Sequence, residues 1–285
     1  MEYELYPPSD QLKDQVYSYI FLKNVDASIS KRILPGGYCF LAFHLGEGGY
    51  QVDGLNGCSG SRPRMVIIGQ TTQCYTVTSL GTADVFLVLF KPSGLSKFFK
   101  VCMPHLTNSD LALDMVIGEK AVELYTQLLD NKEIKSRVAI VEEFLVSMKT
   151  NHYVKYENIE AALAYIHFRH GILTVKELTD HLSINERTLQ RAFNVIIGLS
   201  PKQYSRILRM NYLLKLLASG KVISWIELLH FGGYYDQMHF IKDFKAFTGI
   251  TPRYYPEMDI INLHKISRSH FFSMDKDFVV TDCIE

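Results

Sequence analysis

At 285 residues the chain is long enough for two domains, each burying its own core. A hydrophobic share of 47%, a charged share of 21% and a formal net charge of zero are those of an ordinary soluble globular protein. No apolar run approaches the roughly 18 residues of a membrane-spanning helix. The start Met1-Glu-Tyr-Glu-Leu-Tyr-Pro-Pro8 has neither the charge nor the apolar stretch of a signal peptide, so a cytoplasmic protein without a membrane partner is expected. The five cysteines, Cys39, Cys58, Cys74, Cys102 and Cys283, are odd in number and scattered without a C-x-x-C pair, which argues against a disulfide framework or a zinc site.

In chain order, Leu12, Val16 and Ile20 at i, i+4 and i+8 predict a short amphipathic helix at the N-terminus. After Pro35-Gly36-Gly37 the period changes to that of strands. Tyr38 to Leu45 is apolar on both faces apart from His44, Gly46 to Gly49 is a turn, and further strands are expected at Met65–Ile68, Gln73–Thr78 and Val85–Phe90. Short strands between such turns predict a small β-barrel or sandwich. His44 shares a strand face with Phe40 and Ala42 and reads as a core residue, because no second His, Asp or Glu stands at a metal-ligand spacing. Cys74 has no neighbouring base or cation in the sequence to activate it, and the Gly-rich stretches do not open a helix with the phosphate-loop pattern. No catalytic residue, metal ligand or cofactor is therefore expected. A ligand pocket is expected only because barrel mouths commonly provide one, with its residues unknown.

From about Asp110 to Thr150 the period is helical, and Ile134, Val138, Val141, Leu145 and Met148 recur with coiled-coil seam spacing over barely two heptads. Either an amphipathic helix packed on its own chain or a dimer seam would give this pattern. Asn151 to Glu157 is the expected joint.

The most informative stretch begins at Thr174. Thr174 and Glu177 form a capping box that starts a helix, Ser183 ends it, and Asn185 caps a second helix with Leu189 and Phe193 on one face and Arg187, Gln190 and Arg191 on the other. Two short helices joined by a tight polar turn are a helix-turn-helix unit. The pattern recurs: Ser224 and Glu227 repeat the box, Gly232-Gly233 breaks the helix, and Asp236 caps Gln237 to Phe244. Ser200-Pro201 starts the connecting helix, which Gly220 ends. Residues 158–256 hold 12 Lys and Arg against 7 Asp and Glu, and the remainder 18 against 23, so the basic part coincides with the duplicated motif.

Leu189-Gln-Arg-Ala-Phe193, Gly198-Leu-Ser-Pro201 with Tyr204 and Arg209, Gly233-Tyr-Tyr-Asp236 with His239, Phe240 and Phe244, and Gly249-Ile-Thr-Pro252 with Tyr255 resemble the DNA-binding domain of the AraC/XylS family of bacterial transcription regulators. The N-terminal half resembles, more weakly, the β-rich sensor half of such regulators. The resemblance implies an α+β two-domain protein. It would have a β-barrel or sandwich sensor over 1–109, a helical linker over 110–157 that packs on its own chain or pairs two copies, an all-α domain with two helix-turn-helix units over 158–256, and a tail over 257–285.

It implies double-stranded DNA as partner, leaves room for a small-molecule effector and a homodimer, and adds RNA polymerase if the protein activates. Carried over by motif position, Arg187, Gln190 and Arg191 face base edges with Thr188 beside them. Gln237, Met238 and Lys242 are the outer residues of the second head. Met238 cannot donate to a base, so that head is expected to contribute position more than sequence. Thr179 and Leu229 stand where the family has a small residue, and Pro256 where it has a basic one. The alternative is a β-barrel enzyme, such as a cysteine-dependent alkyl transferase, fused to a helix-turn-helix module. It requires a reactive, partly exposed cysteine of low pKa.

Overall fold

The computed structural model describes residues 2–25, 30–56, 63–149, 158–218, 225–257 and 260–261. The expected joint at 151–157, the caps at Ser224 and Gly220, and residues 262–285 of the tail lie outside them.

The N-terminal half is built from β1 (Glu2–Tyr6), β2 (Val16–Val25), β3 (Ser30–Ile33), β4 (Cys39–His44), β5 (Tyr50–Asp53), β6 (Met65–Ile68), β7 (Tyr75–Ser79), β8 (Ala83–Phe90) and β9 (Asp110–Ala112). One antiparallel sheet runs β1-β2-β8-β4-β6-β9, and a smaller one carries β3-β7-β5. The large sheet is buried on both faces. Along β2, Tyr19 and Phe21 enter one core while Ile20 and Leu22 enter another; β8 repeats this with Phe86 and Val88 against Leu87 and Leu89. The second core, with Phe40, Ala42 and Val66, lies against Ile33 and Tyr75 of the small sheet. Two-sided burial makes a strand read as a continuous apolar run, so alternation disappears from the sequence.

That explains one element of wrong type. Leu12, Val16 and Ile20 do not form a helix: Leu12 is buried in a hydrogen-bonded turn, and Val16 opens β2. An i, i+4 apolar pair also arises in a strand whose two faces are both buried, and the Val-Tyr-Ser-Tyr-Ile-Phe run has the β-branched and aromatic composition that strands favour.

The outer face of the large sheet is covered by α1 (Met103–Leu106), α2 (Asp114–Ile117), α3 (Glu119–Asp130) and α4 (Ile134–Met148). Asp110–Ala112, expected to begin the helical region, is instead the edge strand β9 on β6. Val141 and Leu145 are fully buried in the same core as Phe21 and Phe86, with Ile134, Val138 and Met148 packed against it. The seam-like stripe of α4 is thus taken up by its own chain. Arg137 ties α4 to the end of α3, its Nε donating to the carbonyls of Leu128 at 2.9 Å and Asn131 at 2.5 Å.

The C-terminal half is helical: α5 (Ile159–Phe168), α6 (Val175–Leu182), α7 (Glu186–Ile196), α8 (Pro201–Ala218), α9 (Trp225–Phe231) and α10 (Gln237–Thr248). Its core joins Leu178, Leu189, Phe193, Tyr204, Leu213, Leu228, Phe240 and Phe244, so both helix-turn-helix units pack on α8. The two halves are in contact. Thr107 Oγ1 donates to the Gly198 carbonyl at 2.6 Å, Ser93 Oγ to Glu160 at 2.7 Å, Asn211 Nδ2 to the Pro35 carbonyl at 3.1 Å and Arg32 Nη1 to the Thr248 carbonyl at 3.3 Å. Leu34 belongs to the helical core. The start of the tail also returns to the β half, where β10 (Ile260–Ile261) pairs in parallel with β3.

Candidate nucleic-acid interface

The first helix-turn-helix unit is defined by its caps. Thr174 Oγ1 accepts from Glu177 N at 3.1 Å while Glu177 accepts from Thr174 N at 2.6 Å, completing the predicted capping box of α6. Ser183 then turns through left-handed backbone at φ 54°, and Asn185 Oδ1 accepts from Arg187 N at 2.8 Å to open α7. In the second unit Asp236 accepts from His239 N at 2.7 Å and opens α10. The connecting helix α8 starts on a further box, in which Ser200 Oγ accepts from Gln203 N at 3.1 Å and Ser200 N donates to Gln203 Oε1 at 3.0 Å.

Helical periodicity now sorts the side chains. On α7, Leu189, Ala192, Phe193 and Ile196 are buried, and Arg187, Thr188, Gln190, Arg191 and Asn194 are exposed. Arg187, Arg191 and Asn194, at i, i+4 and i+7, form the middle of the outer arc, with Thr188 and Gln190 on its flanks. On α10 the same positions, counted from the cap, hold Met238, Lys242 and Lys245, all exposed. His239 takes the place of Thr188, and half-buried Ile241 that of Gln190. Gln237, also exposed, sits in the place of Glu186 at the edge of the arc. All seven residues predicted to face DNA are therefore on open surface, two groups on two separate helices.

Other residues of this surface escaped the sequence reading. Lys245 was legible as the i+7 partner of Met238. Asp243 carried a different signal, an acid inside the apolar stripe Phe240, Phe244 and Phe247. It is 9% exposed and accepts from Arg209 Nη2 and Tyr234 Oη, each at 3.1 Å, while Arg206 Nη2 lies 3.1 Å from its other oxygen. The Arg209 guanidinium also lies over the Tyr234 ring at 4.2 Å. This clasp fixes α10 to α8, and burial, ahead of the neighbouring charges, raises the Tyr234 phenol well above its ordinary value. The departures from the family are absorbed by packing. Thr179 is buried with its hydroxyl donating to the Lys176 carbonyl at 2.9 Å, and Leu229 lies half-buried against the helical core.

Among the described residues of the β half, His44, Cys39 and Cys74 offer little for covalent chemistry. His44 stacks on Tyr50 at 3.7 Å, and burial, with the Arg64 charge second, holds it down to about 4, a neutral core imidazole. Burial pushes the Cys39 thiol up to about 12 and raises Cys74 as well, with Arg32 only partly opposing it. Neither is the low-pKa nucleophile that an alkyl-transfer reading requires. Cys102 is exposed; Cys58 and Cys283 lie outside the described residues.

Residues 178–258 match the family described as a helix-turn-helix domain, from within α6 to just beyond α10. The C-terminal half carries an AraC-type helix-turn-helix domain. Residues 4–112 match a second family, described as a domain of unknown function (DUF6597), which ends where β9 ends. Among solved structures the chain is similar to ToxT from Vibrio cholerae O395, with 12% identity, 82% of this chain and 96% of that one covered, and a TM-score of 0.43. It is similar also to the C-terminal domain of AraT, a response regulator from Geobacillus stearothermophilus, with 24% identity, 39% and 92% coverage and a TM-score of 0.34. A third is the AraC-like transcriptional activator CuxR, with 15% identity, 76% and 88% coverage and a TM-score of 0.27. No curated protein matches the chain in sequence. No helix among the described residues is long and apolar enough to cross a membrane.

Proposed function

We propose that this regulator binds a specific duplex sequence through α7 and α10 and that an effector or partner at the β half sets its affinity. The observation that carries the reading is the pair of capped recognition helices, each with an exposed outer arc, mounted on one helix, α8. At 18 residues α8 is about 27 Å long, comparable with the roughly 34 Å between successive major-groove segments on one face of DNA. In this reading Arg187 and Arg191 pair with guanine, Gln190 with adenine, and Thr188 gives a weaker contact. Lys242 and Lys245 neutralise phosphates, and Gln237 stands at the edge of the footprint.

The effector would lie between the two sheets. Gln70 is 1% exposed, and both heteroatoms of its side-chain amide lack a hydrogen-bond partner within the protein. Tyr38 and Tyr75 belong to the inter-sheet core, and buried Asp110 stands opposite Ile68 at its margin. Burial and then the Asp110 charge hold the Tyr75 phenol far above its ordinary range. The Gln70 amide suits a polar ligand, because buried polar atoms are ordinarily paired.

A route to the DNA-binding half is short. Ile33 lines the inter-sheet core while its neighbours Arg32 and Leu34 touch α10 and the helical core. A ligand that favours one placement of β3 would shift the arrangement of the reading heads by its difference in affinity for the two. An activator would in addition contact RNA polymerase, and a homodimer would need a face other than the covered stripe of α4.

Selection of bound fragments from random duplex DNA, followed by titration in salt, tests the reading. The expected result is an enriched motif spanning two major-groove segments, affinity falling steeply with salt, and Arg191→Ala losing about 1–3 kcal/mol of discrimination at one base pair. Binding indifferent to sequence would overturn it. A screen of metabolites for a raised melting temperature of the full chain tests the effector.

A further inference from the structure

The middle of the outer arc on α7 is Arg187, Arg191 and Asn194, three exposed side chains with hydrogen-bonding groups to offer. On α10 its N-terminal member is Met238, 76% exposed, and the residue preceding the Asp236 cap is Tyr235, fully exposed. Large apolar groups left in water at the N-terminal turn of a recognition helix stand where base edges are read. Apolar surface there has one partner in the major groove, the C5-methyl group of thymine, which separates T·A from C·G without any hydrogen bond. Lys242 and Lys245 follow Met238 at i+4 and i+7, so the same arc presents cations to phosphate, which favours DNA over an apolar protein surface as the occupant.

We infer that α10 reads thymine methyl groups, with Met238 inserted against one methyl and the Tyr235 ring against a neighbouring one, while α7 reads hydrogen-bonding edges. The second head then contributes sequence as well as position, in a currency the first does not use. The division would favour a site with a G- or A-containing segment under α7 and T-containing steps under α10. The inference rests on the DNA-binding reading above.

The test uses the full chain and the duplex found by selection. Arg191→Ala identifies the half-site under α7 as the one whose preference relaxes; the other belongs to α10. Each thymine is then replaced singly by deoxyuridine, which removes only the methyl and leaves base pairing intact. One or two replacements under α10 are expected to weaken binding about fourfold each, the worth of one buried methyl, with smaller effects under α7. Met238→Ala should remove the sensitivity at one of those positions and leave the slope of affinity against salt unchanged. Lys242→Ala should lower that slope by about one counterion while keeping the uridine sensitivity.

Uridine replacements that are neutral under α10, on a duplex still bound specifically, would overturn the inference and leave the regulator's DNA binding intact. Equal weakening of thymine and uridine duplexes by Met238→Ala, or no effect on either, would do so too. Failure to select any duplex would instead strike the underlying reading. Met238 is exposed, so its alanine variant is expected to melt with the wild type.

Discussion

The two helix-turn-helix units share a plan and differ in what secures them. Counted from the caps, Ala192 of α7 and Asp243 of α10 occupy the same buried position. In the first unit that position is a small apolar contact with the shared core. In the second it is a carboxylate gripped by Arg206, Arg209 and Tyr234. Their seats on the β half differ as well. The first unit rests on Gly198, whose φ is +86° and whose missing Cβ would lie 2.6 Å from the Met103 carbonyl oxygen. The second rests on Gly249, at φ +81°, where the nearest atom would be the Cys74 sulfur at 3.0 Å. Unit one is set rigidly by backbone against backbone, and unit two by side chains that can give way. A regulator that changes the spacing of its two heads would move the second.

The largest effect tests that contrast. Gly198→Ala meets both a left-handed backbone and a carbonyl that cannot retreat, and about 3 kcal/mol of stability should be lost. Gly249→Ala shares the backbone penalty but meets only a thiol, and about half as much should go. Calorimetry of the two variants ranks them. Equal losses would mean that the seats are equivalent. Next comes the clasp. Asp243→Ala leaves two guanidinium groups and a phenol without their acceptor, and because Arg206 and Arg209 are partly solvated the loss should be about 2 kcal/mol. Hydrogen exchange should quicken across α10 and leave α7 protected. Uniform loosening of both helices would show that the units do not separate energetically.

Which parts of this were legible beforehand follows from where the deciding contacts lie. Caps are local: Thr174, Asn185 and Asp236 satisfy donors within three residues, so both reading heads could be placed from the sequence. Their outer residues followed from periodicity, as Lys245 would have done. Two-sided burial is not local. It turned Val16 and Ile20 into an apparent helical face, although β4, β6 and β8 were found from their flanking turns. Short edge elements such as β5, β9 and β10 have too few residues to show a period. The clasp and the glycine seats join segments far apart in the chain. Asp243, an acid in an apolar stripe, passed unmarked, and Arg209 could not have been named as its partner. Gly198 could be read as a helix terminator, not as the point that touches Met103.

The smallest effect separates α6 from α7 within the first unit. The α6 cap includes a titrating group: the Thr174 backbone N–H and then its hydroxyl hold the Glu177 carboxyl below the ordinary glutamate value. With the folded value lowered, the unfolded chain takes up the proton first as acid is added. The stabilisation is complete above the unfolded value of about 4.3 and is lost as the pH falls through the folded one. The α7 cap is Asn185, which has no proton to gain. Hydrogen exchange in the first turn of α6, corrected for intrinsic rates, should therefore stay level above the ordinary glutamate value and quicken as the pH falls below it, while the first turn of α7 does not follow. Thr174→Ala should cost about 1 kcal/mol at neutral pH and reduce the acid response of α6 without abolishing it, because the hydroxyl is gone while the backbone N–H still holds the carboxylate. If both helices loosened together in acid, the unit would be opening as a whole, and local capping would not be what distinguishes the first reading head from the second.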